Sequence, residues 1–159
     1  MRSSKLKPEQ CADPVQVRKT AMDYLARREH GVQEITRKLI NHGFDDLVVE
    51  AAVDALVDDG LLSDSRFTEA FIHSRLQRGS GPQKIRAELR QRGISEDLIS
   101  LGMEAVEEIW RERVREVREK KFGAAMPPDF RERNRQMRFL QQRGFTRDQI
   151  YSAFRDDDS

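Results

Sequence analysis

The feature that most constrains the fold of this chain is a short pattern that occurs three times. Leu39–Phe44 (Leu-Ile-Asn-His-Gly-Phe) returns after 50 residues as Leu89–Ile94 and after a further 51 as Leu140–Phe145. A period of roughly 20–50 residues is typical of stacked supersecondary units, none of which can bury its apolar face alone. The pattern therefore predicts an array of similar units, and it argues against a catalytic domain folded around one pocket.

Glycines and apolar spacing divide each unit into three short helices. In the first unit, Asp13-Pro14 is an N-cap signature, and Gly43 is expected to end the second helix in a left-handed conformation. Gly93 and Gly144 have the same place in the later units. Two points stay open: either Ser63 or Asp64 caps the fourth helix, and Val106–Phe122 forms either one long helix or a bend.

No segment alternates convincingly with period 2, so we predict an all-α fold of three tandem three-helix repeats in an extended, curved array. Residues 1–13 lack periodicity and are expected to be a disordered tail. The repeats are predicted over residues 14–62, 63–108 and 109–159. With 37% hydrophobic and 36% charged residues, each unit has a thin core and a large surface.

Composition and motifs speak against several functional classes. Cys11 is the only cysteine, so neither an internal disulfide nor a Cys-based zinc site can form. The three histidines, His30, His42 and His73, belong to no metal-binding motif, and Gly79–Lys84 lacks the Gly-Lys-Ser/Thr ending of a phosphate-binding loop. We therefore predict a non-enzyme without catalytic residues, metal or cofactor. No apolar run reaches 18 residues and no signal peptide is visible, so a cytoplasmic protein is expected.

The net charge is only +1, but the charges are segregated along the chain. Residues 42–65 contain seven acidic groups and neither Lys nor Arg, which suits a basic protein surface better than phosphates. Two other windows are basic and nearly free of acids. Residues 111–121 mix six bases with three acids, and we interpret them as a solvated helix with Trp110 and Val114 on its buried side.

Arginine supplies 22 of the 29 basic residues, and its guanidinium group binds phosphates and carboxylates through paired hydrogen bonds. The middle window is predicted to be the main contact surface, composed of Arg75, Arg78, Lys84, Arg86, Arg90 and Arg92. A secondary basic patch is predicted from Arg131, Arg133, Arg135, Arg138, Arg143 and Arg147. Aromatic residues do not interleave with the middle set, so base stacking is not indicated. The alternative is that these arginines only solvate a thin helical array.

At the level of whole motifs, the chain resembles the RecX family, bacterial regulators of the RecA recombinase. No single motif is specific, but the order in which the motifs occur is. Together they cover roughly Pro14 to Phe154. The stretches that carry the resemblance are Tyr24–His30, Glu34–Leu39, Gly43-Phe44, Gly60–Phe67, Gly79–Ile85, Arg92–Ile94, Lys121–Gly123 and Arg138–Phe145. One departure is the short, Pro-containing loop Ala124–Asp129, which leaves the pose of the third unit open.

The resemblance implies a cytoplasmic protein that binds RecA filaments on single-stranded DNA and dampens ATP hydrolysis, strand exchange and co-protease activity. We therefore expect a non-enzymatic modulator, acting as a monomer, that meets single-stranded DNA directly or through RecA. The basic windows alone would fit a stand-alone DNA-binding helical repeat protein. A scaffold that binds an unrelated protein through its acidic segment is a third hypothesis.

Overall fold

The computed structural model describes residues 6–155, and every regular element in this part of the chain is helical. From Pro14 onward the helices form three-helix repeats, as the sequence predicted. The helices are α1 (Pro14–Arg27), α2 (Val32–His42), α3 (Asp46–Asp58), α4 (Asp64–Gln77), α5 (Pro82–Gln91), α6 (Glu96–Glu104), α7 (Trp110–Phe122), α8 (Phe130–Gln142) and α9 (Arg147–Ser152).

The predicted left-handed glycines are confirmed. Gly43, Gly93 and Gly144 follow the ends of α2, α5 and α8 with φ of 112°, 77° and 98°. Only glycine adopts this region without a steric cost from Cβ. The N–H groups of Gly43 and Phe44 donate to carbonyls of the last turn of α2, and Gly144 and Phe145 do the same for α8.

Polar residues cap the starts of several helices, as the sequence predicted at Asp13, and they settle the choice between Ser63 and Asp64. The Asp13 and Asp45 carboxylates accept from backbone N–H groups of the first turns of α1 and α3. Ser63 Oγ accepts from the Arg66 N–H at 3.2 Å and caps α4. The Asp64 carboxylate instead accepts from the Val32 N–H at 2.7 Å, so it caps α2, 32 residues away in sequence.

The chain divides into two compact units: residues 1–70 with 92–98, and residues 71–91 with 99–159. In the first unit, α1, α2 and α3 surround a core to which each helix contributes its inward stripe. This core consists of Val17, Ala21, Ile35, Leu39, Phe44, Val49, Val53, Leu56 and Leu62.

The sequence predicted a disordered tail over residues 1–13. Residues 1–5 lie outside the described part of the chain, and residues 6–13 instead make defined contacts. Leu6 packs against the core of the first unit, and its side chain lies where a Cβ on Gly43 would meet it at 3.4 Å. The carbonyl of Cys11 accepts from the Asp45 N–H at 2.8 Å. The segment thus covers the end of α2, a contact that composition alone does not reveal.

In the second unit, α7, α8 and α9 form a bundle in which Trp110 meets Phe145 edge-on, with ring centroids 6.3 Å apart. The passage into α7 is a bend, because α6 ends at Glu104 and a 3₁₀ turn at Glu107–Ile109 precedes Trp110. Val114 and Trp110 are buried on the inner side of α7, as expected.

Arg118 of α7 is also buried, at 1% exposure. Its guanidinium donates to the carbonyls of Ala124 and Ala125 and to Gln136 Oε1 over 3.3–3.4 Å. These bonds fasten the loop between α7 and α8 to both helices. Burying a charge is costly unless hydrogen bonds compensate it, so this arginine is a structural element of the third repeat.

Each unit contains a junction of the same design. Residues at the start of the second helix of one repeat contact the glycine that follows the second helix of the next repeat. In the first unit, a Cβ on Gly93 would overlap the side chain of Gln33, and one on Gly31 would lie 3.3 Å from the Asp64 carboxylate. In the second unit the contact is closer still. The Gly81 N–H donates to the Arg143 carbonyl at 2.7 Å, and the Gln83 N–H donates to the Gly144 carbonyl at 2.9 Å.

These two hydrogen bonds satisfy donors at the start of α5 that have no partner within their own helix. They also bring two backbones so close that side chains are excluded. A Cβ on Gly81 would overlap the backbone of Gly144 and Phe145, and a Cβ on Gly144 would overlap Lys84. Glycine at both positions is therefore a requirement of the junction.

Replacement of Gly144 by alanine should expose this requirement. We expect Gly144→Ala to lower the free energy of unfolding by about 2–5 kcal/mol, combining the left-handed penalty with overpacking against Lys84. Gly60→Ala is the matched control, because Gly60 also has a positive φ (72°) but no atom within 4 Å of the added Cβ. It should cost only about 1–2 kcal/mol. Equal losses in urea denaturation would contradict the proposed close contact.

Candidate functional site

A basic groove lies in the second unit, between the end of α4, α7 and α8. We call it the α4–α7 groove; its volume is about 320 Å³. Five cations and one acid line it, together with Leu76, Gln77, Gly79, Val117 and Phe139; the charged residues are Arg78, Arg113, Lys120, Lys121, Arg143 and Glu116. The acid is already engaged, since Glu116 pairs with Arg113 at 3.2 Å. The groove is therefore strongly positive and open to an anionic partner.

Gly79 and Arg143 give this groove its form. A Cβ on Gly79 would meet Val117 at 3.2 Å, so the absence of a side chain lets the end of α4 approach α7. The Arg143 guanidinium donates to the Arg78 carbonyl at 3.1 Å and lies 5.1 Å from the centre of the Phe139 ring. Arg143 thus holds one wall of the groove while contributing its charge.

The groove unites residues that the sequence analysis kept apart. Arg78 came from the predicted main surface, Arg143 from the secondary basic patch, and Lys120 and Lys121 from a helix interpreted as merely solvated. The signal that could have found the two lysines is helical spacing. Lys120 and Lys121 follow Val117 by three and four residues, so they share its face of α7 and lie at the C-terminal end of the helix. Alternation of charge along the chain hides such a cluster, because cations from three segments converge only after folding.

The other residues of the predicted main surface have diverse surroundings. Arg75 is half-buried, forms an ion pair with Glu88 at 2.8 Å and stacks over Phe71 at 4.3 Å. Lys84 and Arg90 are exposed on α5, and Arg86 on the same helix is half-buried. Arg75 thus links α4 to α5, and the α5 side chains form a separate basic group.

Arg92 belongs to the first unit and is not among the residues that line the α4–α7 groove. Its guanidinium donates to Glu34 Oε2 at 2.9 Å. The same carboxylate accepts two further bonds from Arg28, at 2.9 and 3.0 Å. Glu34 is therefore shared between two arginines that come from the end of α1 and the turn after α5.

The secondary basic patch is spread over the surface of α8 and α9. Arg135 forms a two-bond ion pair with Glu132, and Arg133 lies 5.3 Å from the Phe154 ring centre. Arg131 is exposed near the start of α8. Arg138 and Arg147 instead line a second groove of about 630 Å³, between α8 and α9. The other lining residues of this α8–α9 groove are Gln83, Asn134, Met137, Gln141, Phe145, Ile150 and Tyr151.

Tyr151 adds to the α8–α9 groove an aromatic ring beside a guanidinium. Arg147 donates to the Tyr151 hydroxyl at 3.2 and 3.3 Å. This hydrogen bond raises the pKa of Arg147 above its ordinary value. The groove combines amides, cations and an aromatic face, which are the groups that contact single-stranded nucleic acids.

A third cluster lies in the first unit, around the buried His30. Its Nδ1 lies 3.1 Å from the Arg28 carbonyl, and its Nε2 lies 2.9 Å from Lys38 Nζ. The ammonium can only donate, so Nε2 accepts and Nδ1–H donates, which fixes a neutral ring. Burial, followed by the charges of Arg28 and Lys38, lowers the pKa of His30 below its ordinary value.

The charges of this cluster also shift its other members. Burial acts to raise the pKa of Glu34, but the hydrogen bond and charge of Arg28 outweigh it, so the pKa lies below its ordinary value. Burial and the charge of Arg28 lower the pKa of Lys38, with smaller contributions from Arg27 and Arg92. Cations therefore outnumber carboxylates around His30.

Within residues 6–155, no group of three or more His, Cys, Asp or Glu side chains could hold a metal ion. None of the helices described is long and apolar enough to cross a bilayer. Cys11 is a free thiol.

Comparison with protein families gives three matches that cover most of the chain. Residues 18–56 match the model described as RecX, first three-helix domain. Residues 63–103 match the second three-helix domain of RecX, and residues 107–154 match the third.

Similar proteins and structures agree with these matches. The Regulatory protein RecX of Pseudomonas syringae pv. tomato is 47% identical over 137 residues, covering 86% of this chain and 88% of that protein. The Regulatory protein RecX of Halorhodospira halophila is also 47% identical over 137 residues, with 86% and 85% covered. The crystal structure of RecX from Lactobacillus salivarius superposes with a TM-score of 0.74 at 18% identity, covering 88% of this chain and 93% of that one. It shows the same fold.

The neutral His30 predicts a pH dependence of stability. Because the pKa of His30 is lower in the folded chain than in the unfolded chain, the unfolded state binds more protons below about pH 6.5. The stabilising contribution is therefore complete above that pH and is lost as the pH falls through the folded pKa. The wild type should lose more stability between about pH 8 and pH 5 than His30→Gln, whose amide oxygen still accepts from Lys38. Equal losses in denaturant titrations at the two pH values would show that His30 does not titrate in this way.

Proposed function

Because this chain belongs to the RecX family, we propose that it is a non-enzymatic modulator of the RecA recombinase that acts in the cytoplasm. It binds RecA filaments on single-stranded DNA and dampens ATP hydrolysis and strand exchange. No chemistry by this chain is required, since a protein that binds one filament state more tightly than another shifts the population toward it. No metal or cofactor takes part, and one monomer is the acting species.

The observation that carries this proposal is the α4–α7 groove. Lys120, Lys121, Arg78 and Arg143 converge there from three stretches of chain around a single, already paired acid. Such a groove suits an acidic protein surface or a phosphate backbone, and a filament of protein on DNA presents both. Arg86 and Arg90 on α5 supply a further basic group.

The acidic α3 supports a filament in preference to bare DNA. Its exposed face carries Asp46, Glu50, Asp54 and Asp58, and phosphates would repel it. Exposed Leu47, at 76%, adds an apolar contact suited to protein. A stand-alone DNA-binding protein remains the alternative, and the α8–α9 groove with Tyr151 is the feature that favours it.

Reversing the two lysines of the groove tests the proposal directly. Lys120→Glu/Lys121→Glu should weaken inhibition of RecA ATPase on single-stranded DNA by at least about tenfold in concentration, because two attractive contacts become repulsive. Lys19→Glu/Arg111→Glu is the matched control: it changes the net charge equally at exposed positions outside the groove. Inhibition that both variants retain would refute the assignment of the groove, and a wild type that leaves RecA ATPase unchanged in several-fold excess would refute the function.

A second double variant separates the filament from DNA alone. Arg86→Glu/Arg90→Glu should lose inhibition of RecA while keeping weak affinity for bare single-stranded DNA through the third repeat. Affinity for bare DNA should fall steeply with salt, since each neutralised phosphate releases about 0.7 of a counterion. Loss of both activities together, with helicity intact, would favour the stand-alone DNA-binding protein instead.

A further inference from the structure

The α8–α9 groove presents polar side chains that have no partner within the protein. Three amides and a guanidinium that line it are exposed: Gln83, Asn134, Gln141 and Arg138. None of these four side chains forms a hydrogen bond or an ion pair with another residue in the described range 6–155. No acidic side chain from that range lines the groove. Its donors and acceptors are therefore available to an external molecule.

Folding brings these four side chains together from two helices. Asn134, Arg138 and Gln141 follow one another at spacings of four and three residues, so they share one face of α8. Gln83 belongs to α5, and its backbone N–H donates to the Gly144 carbonyl at 2.9 Å. The junction between α5 and the end of α8 thus places Gln83 beside the same groove.

The remaining surface of the groove is aromatic and apolar. Tyr151 of α9 is half-buried, and its hydroxyl accepts from Arg147 at 3.2 and 3.3 Å. The Arg147 guanidinium also lies 5.4 Å from the centre of the Tyr151 ring, so the two groups hold each other in place. Phe145 and Ile150 are buried and add apolar surface. A fixed aromatic ring next to cations suits a flat, negatively charged ligand.

A nucleotide offers a partner to each of these groups. A side-chain amide has a donor and an acceptor side by side, and it pairs with the edge of a base through two hydrogen bonds. Unstacked bases also pack on tyrosine rings and on guanidinium planes. A phosphate can accept from the exposed guanidinium of Arg138. An acidic peptide would engage the cations, but its carboxylates would gain nothing from the Tyr151 ring.

We propose that the α8–α9 groove is a nucleotide-binding site, in which Tyr151 and the amides hold the base and Arg138 holds the phosphate. Its volume of about 630 Å³ lies within the range of roughly 300–1,000 Å³ that is usual for ligand sites. The ligand is a nucleotide within a single strand or a free nucleotide. For the single strand, the proposal rests on the proposed function, which brings this chain to single-stranded DNA. The α4–α7 groove is assigned to the filament by its charge, whereas the α8–α9 groove recognises a base.

Titration of the full chain with short oligonucleotides tests recognition of the base. Tyr24 and Tyr151 are the two tyrosines of the chain, so ¹³C-labelled tyrosine gives one signal from the first unit and one from the groove. A deoxyadenosine pentamer should shift the Tyr151 signal saturably. A pentamer of abasic deoxyribose phosphate should bind at least about tenfold more weakly, because it retains the phosphates but has no base to stack or pair.

Deoxyadenosine monophosphate distinguishes the two sources of the nucleotide. It carries the same base and one phosphate, so it should also shift the Tyr151 signal. Weaker binding than that of the deoxyadenosine pentamer would identify the single strand as the source, because neighbouring phosphates add to the attraction. Tighter binding would identify the free nucleotide.

Two neighbouring glutamines of α8 provide a matched pair of variants. Gln141→Met should weaken binding of the deoxyadenosine pentamer about tenfold, as expected for one lost amide–base pair, and should leave the affinity for the abasic pentamer unchanged. Gln142→Met changes the next exposed residue, which does not line the groove, and should bind as the wild type does. Arg138→Gln should weaken the binding of both pentamers, because it removes a phosphate contact.

Three results would overturn the proposal. The first is equal affinity for the deoxyadenosine and abasic pentamers, which would show that only the backbone is bound. The second is wild-type affinity for the deoxyadenosine pentamer in both Gln141→Met and Asn134→Met. The third is a Tyr151 signal that shifts with a hexaglutamate peptide and with neither pentamer, which would identify a surface for acidic peptides. The titration contains no RecA, so its failure is distinguishable from failure of the proposed function.

Discussion

The structure of the second unit depends on the close approach of two backbones at Gly81 and Gly144. Hydrogen bonds from Gly81 and Gln83 to the carbonyls of Arg143 and Gly144 join the start of α5 to the end of α8. These bonds require glycine at both positions. A Cβ on Gly81 would overlap the backbone of Gly144 and Phe145, and a Cβ on Gly144 would overlap Lys84. The same contact fixes Arg143, whose side chain forms a wall of the α4–α7 groove. The position of Arg143 in the groove therefore depends on a junction formed by backbone hydrogen bonds.

The first and third repeats depart from the glycine-to-glycine junction. At Gly43, the first of the three helix-ending glycines, the neighbour that an added Cβ would meet is the side chain of Leu6. In the third repeat, the position equivalent to Gly31 and Gly81 is Glu132. This position lies inside α8, because α8 begins about a turn earlier relative to the glycine that follows it. Glu132 pairs with Arg135, and a side chain there precludes another glycine-to-glycine junction.

The sequence predicted the local features well because they depend on local chemistry. The left-handed glycines and the Asp13 cap were predicted from neighbouring residues alone. The Asp45 cap and the Thr146–Gln149 capping box are equally local. It could not predict contacts that join distant segments. Asp64 caps a helix 32 residues away, and Lys120 and Lys121 meet Arg78 and Arg143 only in the folded unit. Arg75 and Arg92 look like free surface charges in the sequence, yet each engages a carboxylate.

Amide hydrogen exchange tests the junction most directly. N–H groups at the start of a helix ordinarily lack partners and exchange quickly. We predict that the Gly81 and Gln83 amides are protected about as strongly as that of Ile85, inside the first turn of α5, and that Gly144→Ala releases them while leaving α1–α3 unchanged. Rapid exchange of Gly81 and Gln83 in the wild type, with α5 otherwise protected, would contradict it.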